Sequence, residues 1–249
     1  MVTVQRSGSA LSPVYVALGD SISVDKYTGG AGRGGASLLA ANRDEDFPEW
    51  RGCDLDSSLS GLRWHLLATD GGTTATLLAY QLPRLEALAV RPSIITLTIG
   101  GNDVLTCYGN TPAALAMIST VKQRVTQALD RLNQLAAAEA RVVIGTVYDP
   151  SDGTGDASSV GLPAWPDVVS VLAELNATLE AVARTNGAAV ADIHGRFLGH
   201  GLSCGNPAQP DPRPADRNLW YCSVIEPNAW GANGIRSAFW EALGYQTPV

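Results

Sequence analysis

Three short stretches hold residue types suited to nucleophilic and oxyanion chemistry. Gly19-Asp20-Ser21-Ile22-Ser23 puts a serine just past a glycine that permits a tight turn, so the Ser21 hydroxyl can face a cleft. Asp70-Gly71-Gly72-Thr73-Thr74 leaves backbone N–H groups open to a ligand. Gly100-Gly101-Asn102-Asp103 offers a side-chain amide able to donate to a developing oxyanion. A proton acceptor must be sought among three histidines, two of them in Asp192-Ile-His-Gly-Arg-Phe-Leu-Gly-His200. Taken singly, each motif is weak, since Gly-Asp-Ser is more often an ordinary turn.

The order of the elements gives these motifs their weight. "PVYVALGD", "GLRWHLLATDGG", "PSIITLTIGGND", "RVVIGTVYDPSDG" and "AAVADIHG" each read as an apolar strand running into small or acidic residues. Helical segments fall between them. One starts at Thr111-Pro112, read as an N-cap followed by proline, with an apolar face from Leu115 through Ile118, Val121, Val125, Leu129 and Leu132 to Leu135. A second runs from about Pro166 to Arg184 and stops at Asn186-Gly187, and a third spans about Ala229 to Leu243. Alternating strands and helices imply a parallel sheet with helices on both faces. Ligands of such a sheet bind beyond the carboxyl ends of its strands, where all three motifs fall. No linker or internal repeat is visible, so residues 1–249 are expected to form one domain, with an irregular loop from Leu202 to Tyr221.

Composition narrows the partners. Charged residues make up 16% of the 249, the formal net charge is −7, and no Lys/Arg-rich run occurs. Nucleic acid and anionic membrane surfaces are therefore poor partners. No apolar run approaches the ~20 residues that a spanning helix needs. The first twenty residues lack a separate apolar stretch followed by a small-residue cleavage site, so a cytoplasmic setting is the default expectation, with a mature secreted chain as the alternative. Cys53, Cys107, Cys204 and Cys222 lack the paired spacing of a zinc site. A Cys204–Cys222 disulfide across the irregular loop is an option, and reduced thiols are the plainer expectation.

In this order, each after an apolar strand, the motifs resemble the GDSL/SGNH hydrolase superfamily over nearly the whole chain. "LGDSIS" is similar to its nucleophile block, with Ser21 as nucleophile. "DGGTTATLLAYQLPRL" is similar to its glycine block, with Gly71 as the oxyanion glycine, and "TIGGND" to its asparagine block, with Asn102 as side-chain oxyanion donor. The resemblance implies a single-domain three-layer α/β/α fold around a mostly parallel sheet. It also implies a serine hydrolase of esters or thioesters that needs no metal and no cofactor. A small-molecule ester, most simply one with a short acyl or acetyl group, is the expected substrate. The alternative is a catalytically impaired protein of the same fold that binds acylated or carbohydrate ligands.

The last block departs from the family. Where Asp-x-x-His-Pro-Asn is usual, this chain has Ser223-Val224-Ile225-Glu226-Pro227-Asn228, so the histidine base has become Glu226. A carboxylate with an ordinary pKa near ~4.3 is a poor base for an alcohol, whereas imidazole titrates near working pH. The expectation is therefore a relocated base, His200, whose imidazole Glu226 orients. His200 lies between two glycines on a loop and is expected to have the freedom to approach Ser21. His194 is the alternative, as is a site with no histidine base. His65, inside an apolar strand, is read as structural. Asp149, Asp152 and Asp156 are read as turn residues of a substrate loop rather than a cation site. Asp20 is expected to brace the nucleophile turn, and core packing is expected for at least one of Trp230 and Trp240.

Overall fold

The computed structural model describes residues 12–248; the leader reading of the first residues lies mostly outside that range. In chain order the strands and helices are β1 (Val14–Gly19), α1 (Gly35–Ala40), α2 (Leu55–Ser58), β2 (Arg63–Leu66) and α3 (Thr74–Thr76). A π-turn at Leu77–Gln81 leads into α4 (Leu82–Ala87), then β3 (Ile94–Thr98), α5 (Gly101–Leu105), α6 (Thr111–Leu135) and β4 (Arg141–Gly145). The chain closes with α7 (Val168–Thr185), β5 (Ala189–Ala191), α8 (Ile193–Phe197), β6 (Tyr221–Cys222), β7 (Glu226–Pro227) and α9 (Ala229–Ala242).

Five parallel strands form one sheet in the order β2-β1-β3-β4-β5. The alternation in β1 shows why both faces must be covered. Val14, Val16 and Leu18 pack into one apolar layer with α6 and α7, through Val121, Val125 and Leu175. Tyr15 and Ala17 point into the opposite layer, with Leu38 and Leu39 of α1 and Ile235 and Phe239 of α9. Successive strand side chains face opposite ways, so a strand apolar at every position must be sandwiched. Each such side chain contributes about 1.5–3 kcal/mol on full burial. This is the three-layer α/β/α architecture that the strand–helix alternation implies.

The order in which strands are added reverses beside β1, which pairs with β2 on one side and β3 on the other. A crevice opens at such a switch point, outside the carboxyl ends of the strands. The loops after β1, β2 and β3 all converge there.

Two local expectations shift. Asn110, not Thr111, caps α6, its side chain accepting from the Ala113 N–H at 3.2 Å, with the proline one position further in. Leu115 lies on the exposed side of α6, and Ala114 takes its place in the core. The Leu202–Tyr221 segment is irregular as read, and both Trp230 and Trp240 are buried. No helix among the described residues is long and apolar enough to cross a membrane.

Candidate active site

Ser21 sits where β1 ends, and a backbone turn that only glycine accommodates puts it there. Gly19 has φ +123°, and a Cβ on it would fall 2.0 Å from the Thr98 carbonyl oxygen of the neighbouring strand. The turn is braced from three sides. Gln81 donates to the Gly19 carbonyl at 2.7 Å and accepts from its N–H at 2.8 Å, and its amide also reaches Thr69. Asp20 Oδ1 accepts from the Ile22 N–H at 3.2 Å and from the Thr98 hydroxyl at 2.9 Å. Asp20 thus braces the turn, as the sequence suggests.

Its second oxygen does something else. Asp20 is 1% exposed, and Oδ2 is buried without a hydrogen-bond partner. Burial pushes the carboxyl up to about 7, against the hydrogen bond from Thr98, and the nearby Glu226 charge adds to the rise. An acid whose pKa is raised on folding holds its proton more tightly in the native state. Its contribution to stability is therefore present below the ordinary 3.8 and is lost as pH climbs towards about 7. Asp20→Asn keeps the Oδ1 acceptor and removes the titration. The expected result is a higher Tm than the parent at pH 8 and a smaller fall in Tm between pH 4 and 7, read by thermal denaturation across that range.

The two oxyanion loops are clamped to each other. Asn102 Nδ2 donates to the Gly72 carbonyl at 2.9 Å, which leaves its second amide hydrogen for a ligand. Buried Asp103 accepts from the Thr74 N–H at 2.9 Å and from the Thr74 hydroxyl at 2.6 Å. The backbone N–H groups of Ser21 and Gly71 make no hydrogen bond among the described residues, while that of Gly72 is spent on Thr69. Gly71, with φ +68°, is exposed in the loop before α3. Ser21 and Asn102 line one cavity. Sequence reasoning missed Asp103 and Gln81 as positioning residues; the Asp103 signal was its place beside Asn102.

Glu226 stands beside Ser21. Among its surroundings burial acts most strongly and raises its carboxyl above the ordinary 4.5, offset by hydrogen bonding from the Ser21 side chain. Asp70 adds to the rise and Lys26 opposes it. Glu226 Oε2 is buried and has no hydrogen-bond partner. Asp70 is itself held by Lys26 at 2.5 Å and by the Tyr27 hydroxyl at 3.0 Å.

The frame that carries Glu226 is rigid. β6 and β7 form an antiparallel hairpin joined by three residues, of which Ser223 and Val224 have positive φ (49° and 77°). A β-branched residue rarely adopts that conformation, and surrounding contacts must impose it. The Val224 N–H donates to the Pro207 carbonyl at 2.8 Å and the Ser223 N–H to that of Gln209 at 3.0 Å. Tyr148 donates to the Ile225 carbonyl at 2.6 Å, with its ring stacked on Phe197 and edge-on to Tyr221. Asn228 caps α9 through the N–H groups of Trp230 and Gly231, and its amide ties the Leu219 carbonyl at 2.6 Å.

The structure does not bring His200 to Ser21, and this corrects the relocated-base expectation. His200 lines a different cleft, with Asp192, Arg196 and Glu241. Its ring stacks on Trp220 at 3.7 Å, and Nδ1 bonds the Asn218 carbonyl at 2.7 Å. The flanking glycines give it no freedom, because the Asp152 carboxylate accepts from the N–H groups of Gly199, Gly201 and Ser203 and pins the loop. With no imidazole beside it, Glu226 has none to orient. His194 does not line the Ser21 cavity, and its Nδ1 donates to the Val147 carbonyl at 3.0 Å. His65 lies within β2, opposite Val16 of β1.

Asp149 folds its own turn through Ser151 and Gly153. Among the described residues no group of three or more His, Cys, Asp or Glu is placed to hold a metal ion. All four cysteines are free: Cys204 Sγ contacts the Gly199 carbonyl and Cys222 Sγ that of Tyr27.

A parallel α/β/α sheet with a serine at one switch-point strand and an asparagine at the next is the arrangement of a serine hydrolase. The sequence matches the GDSL-like lipase/acylhydrolase family over residues 17–232, and the chain belongs to that family of ester-hydrolysing serine enzymes. Its fold is similar to that of the extracellular lipase from Streptomyces rimosus (23% identity, TM-score 0.60, 94% of this chain and 99% of that one). It is also similar to that of an acetylxylan esterase from Geobacillus stearothermophilus (14%, 0.62, 95% and 96%). A third similar structure is phospholipase A1 from Streptomyces albidoflavus NA297 (21%, 0.57, 94% and 98%). No curated protein matches the sequence at a significant level.

Proposed function

We propose that this enzyme hydrolyses carboxylic esters through an acyl-enzyme on Ser21, with the Glu226 carboxylate as the base in place of an imidazole. The observation that carries the reading is the half-buried Glu226 beside Ser21, whose Oε2 is buried without a hydrogen-bond partner. Ser21 Oγ attacks the ester carbonyl as its proton passes to Glu226. The oxyanion is met by the N–H groups of Ser21 and Gly71 and the Asn102 amide. The intermediate collapses, the C–O bond to the alcohol breaks, and protonated Glu226 returns the proton to the leaving oxygen. A water then attacks the acyl-Ser21 carbonyl, giving its proton to Glu226; the acyl C–Oγ bond breaks, Glu226 returns the proton to Ser21 Oγ, and the carboxylic acid departs.

The difficulty is the gap between the basicity of a carboxylate and that of an alkoxide. Every unit by which burial raises the Glu226 pKa recovers about 1.4 kcal/mol of that gap. The family supports ester chemistry, and the lipase, acetylxylan esterase and phospholipase A1 of similar fold are compatible with it. Short acyl esters are the minimal substrates. The test is turnover of p-nitrophenyl esters together with fluorophosphonate labelling, which should leave one adduct, on Ser21. A protein that neither labels nor hydrolyses any ester would instead be a binding protein on a hydrolase fold.

A further inference from the structure

A cavity of about 100 Å³ opens beside Ser21 and Asn102 and runs under the segment between β4 and α7. Its walls are apolar: Val104, Leu105, Tyr108, Leu162, Trp165 and Leu172 among them. The polar groups on it, apart from Asp20, are at the Ser21 end or already satisfied, as Asp149 is by Ser151 and Gly153. The wall away from the strands is firmly built. Tyr108 donates to the Pro163 carbonyl at 2.6 Å, its ring meets Trp165 edge-on at 5.2 Å, and the Trp165 indole donates to Thr111 at 2.9 Å. An apolar cavity so braced is a preformed site for an apolar group.

Which half of an ester it holds follows from the proton path, and so rests on the proposed role of Glu226. The leaving oxygen must face Glu226 to be protonated. Glu226 does not line this cavity, and two of its charged neighbours, Lys26 and Asp70, face solvent. The alcohol half therefore leaves on that side, and the acyl half enters the cavity. Each water-sized group occupies roughly 10–15 Å³ of such a volume, and a methylene is about as large, so the cavity holds about seven to ten of them.

We propose that this cavity is an acyl-chain site that selects medium-length chains, about six to ten carbons, over the acetyl and short acyl groups expected from the sequence. Leu105 stands at its rim, 38% exposed, and Ala157 lies inside it.

The experiment is kcat/KM for p-nitrophenyl esters from acetate to palmitate. Each buried methylene is worth about fourfold, so the six extra carbons of the octanoate ester should raise it above the acetate ester by about three to four orders of magnitude, with palmitate falling below octanoate. Leu105→Trp and Ala157→Leu, which narrow or fill the cavity, should each lower the octanoate-to-acetate ratio by at least about tenfold. Equal rates on acetate and octanoate, or ratios unmoved by both substitutions, would overturn the proposal while leaving the esterase reading intact. Calorimetric titration of octanoate into Ser21→Ala protein separates the two ideas. Saturable binding that Leu105→Trp weakens supports the chain site even if the catalytic reading fails, and absence of binding overturns it.

Discussion

Ser21→Ala is expected to abolish ester turnover, lowering kcat by about four to six orders of magnitude. The serine supplies the covalent step, and nothing nearby can replace it: Ser23, two residues on, is fully buried and hydrogen-bonded to Thr98. The fold should survive, because no backbone group of the turn is held by the Ser21 side chain; Gln81 holds Gly19, and the Asp20 and Ser23 side chains bond Thr98. Steady-state kinetics on an activated ester, with circular dichroism to verify the fold, read the effect. A variant that keeps more than a hundredth of the parent rate would remove Ser21 from the chemistry.

Glu226→Gln is expected to cost about two to four orders of magnitude in kcat, with a smaller change in KM, because an amide of the same shape cannot take the proton. The loss should be non-additive: Ser21→Ala/Glu226→Gln should be no worse than Ser21→Ala alone, as expected of groups acting on one proton. The pH dependence has a fixed sign. Glu226 works as the carboxylate, so kcat/KM should fall as pH drops through its pKa, which burial places above the ordinary 4.5. Glu226→Gln should lose that limb. A Gln variant of near-parental activity, or one that retains the acid limb, would exclude Glu226 as the base.

Much of this is legible in the sequence because it is local. A strand, a turn and the side chain after it are neighbours in the chain, so apolar runs and glycines alone place Ser21, Gly71 and Asn102 at strand ends. The base is not legible in that way. The glycines around His200 suggest mobility, but the loop is fixed by Asp152, nearly fifty residues upstream, and by stacking on Trp220. In the sequence Glu226 reads as a departure needing rescue by an imidazole, since an ordinary carboxylate is a weak base. What changes its chemistry is burial, produced by contacts among Ser21, the β6–β7 hairpin and Tyr148 that no spacing rule reports. The acyl cavity is hidden for the same reason: its wall is an aperiodic segment joined to the α5–α6 loop through Tyr108 and Trp165. Leu115 shows the smaller version of the problem, an apolar residue at helical spacing that the packing leaves in solvent.

The central claim is that a carboxylate, and no imidazole, serves Ser21. The chain has only three histidines, so it can be tested outright by making the enzyme histidine-free as His65→Gln/His194→Asn/His200→Asn, the asparagine amides retaining a donor for the Val147 and Asn218 carbonyls. The decisive measurement is kcat/KM of this triple variant on a p-nitrophenyl ester, with folding verified by its Tm. The account predicts a value within about tenfold of the parent, since none of the three rings touches the reacting atoms. A folded triple variant that has lost three or more orders of magnitude would contradict it and return the proton to a histidine.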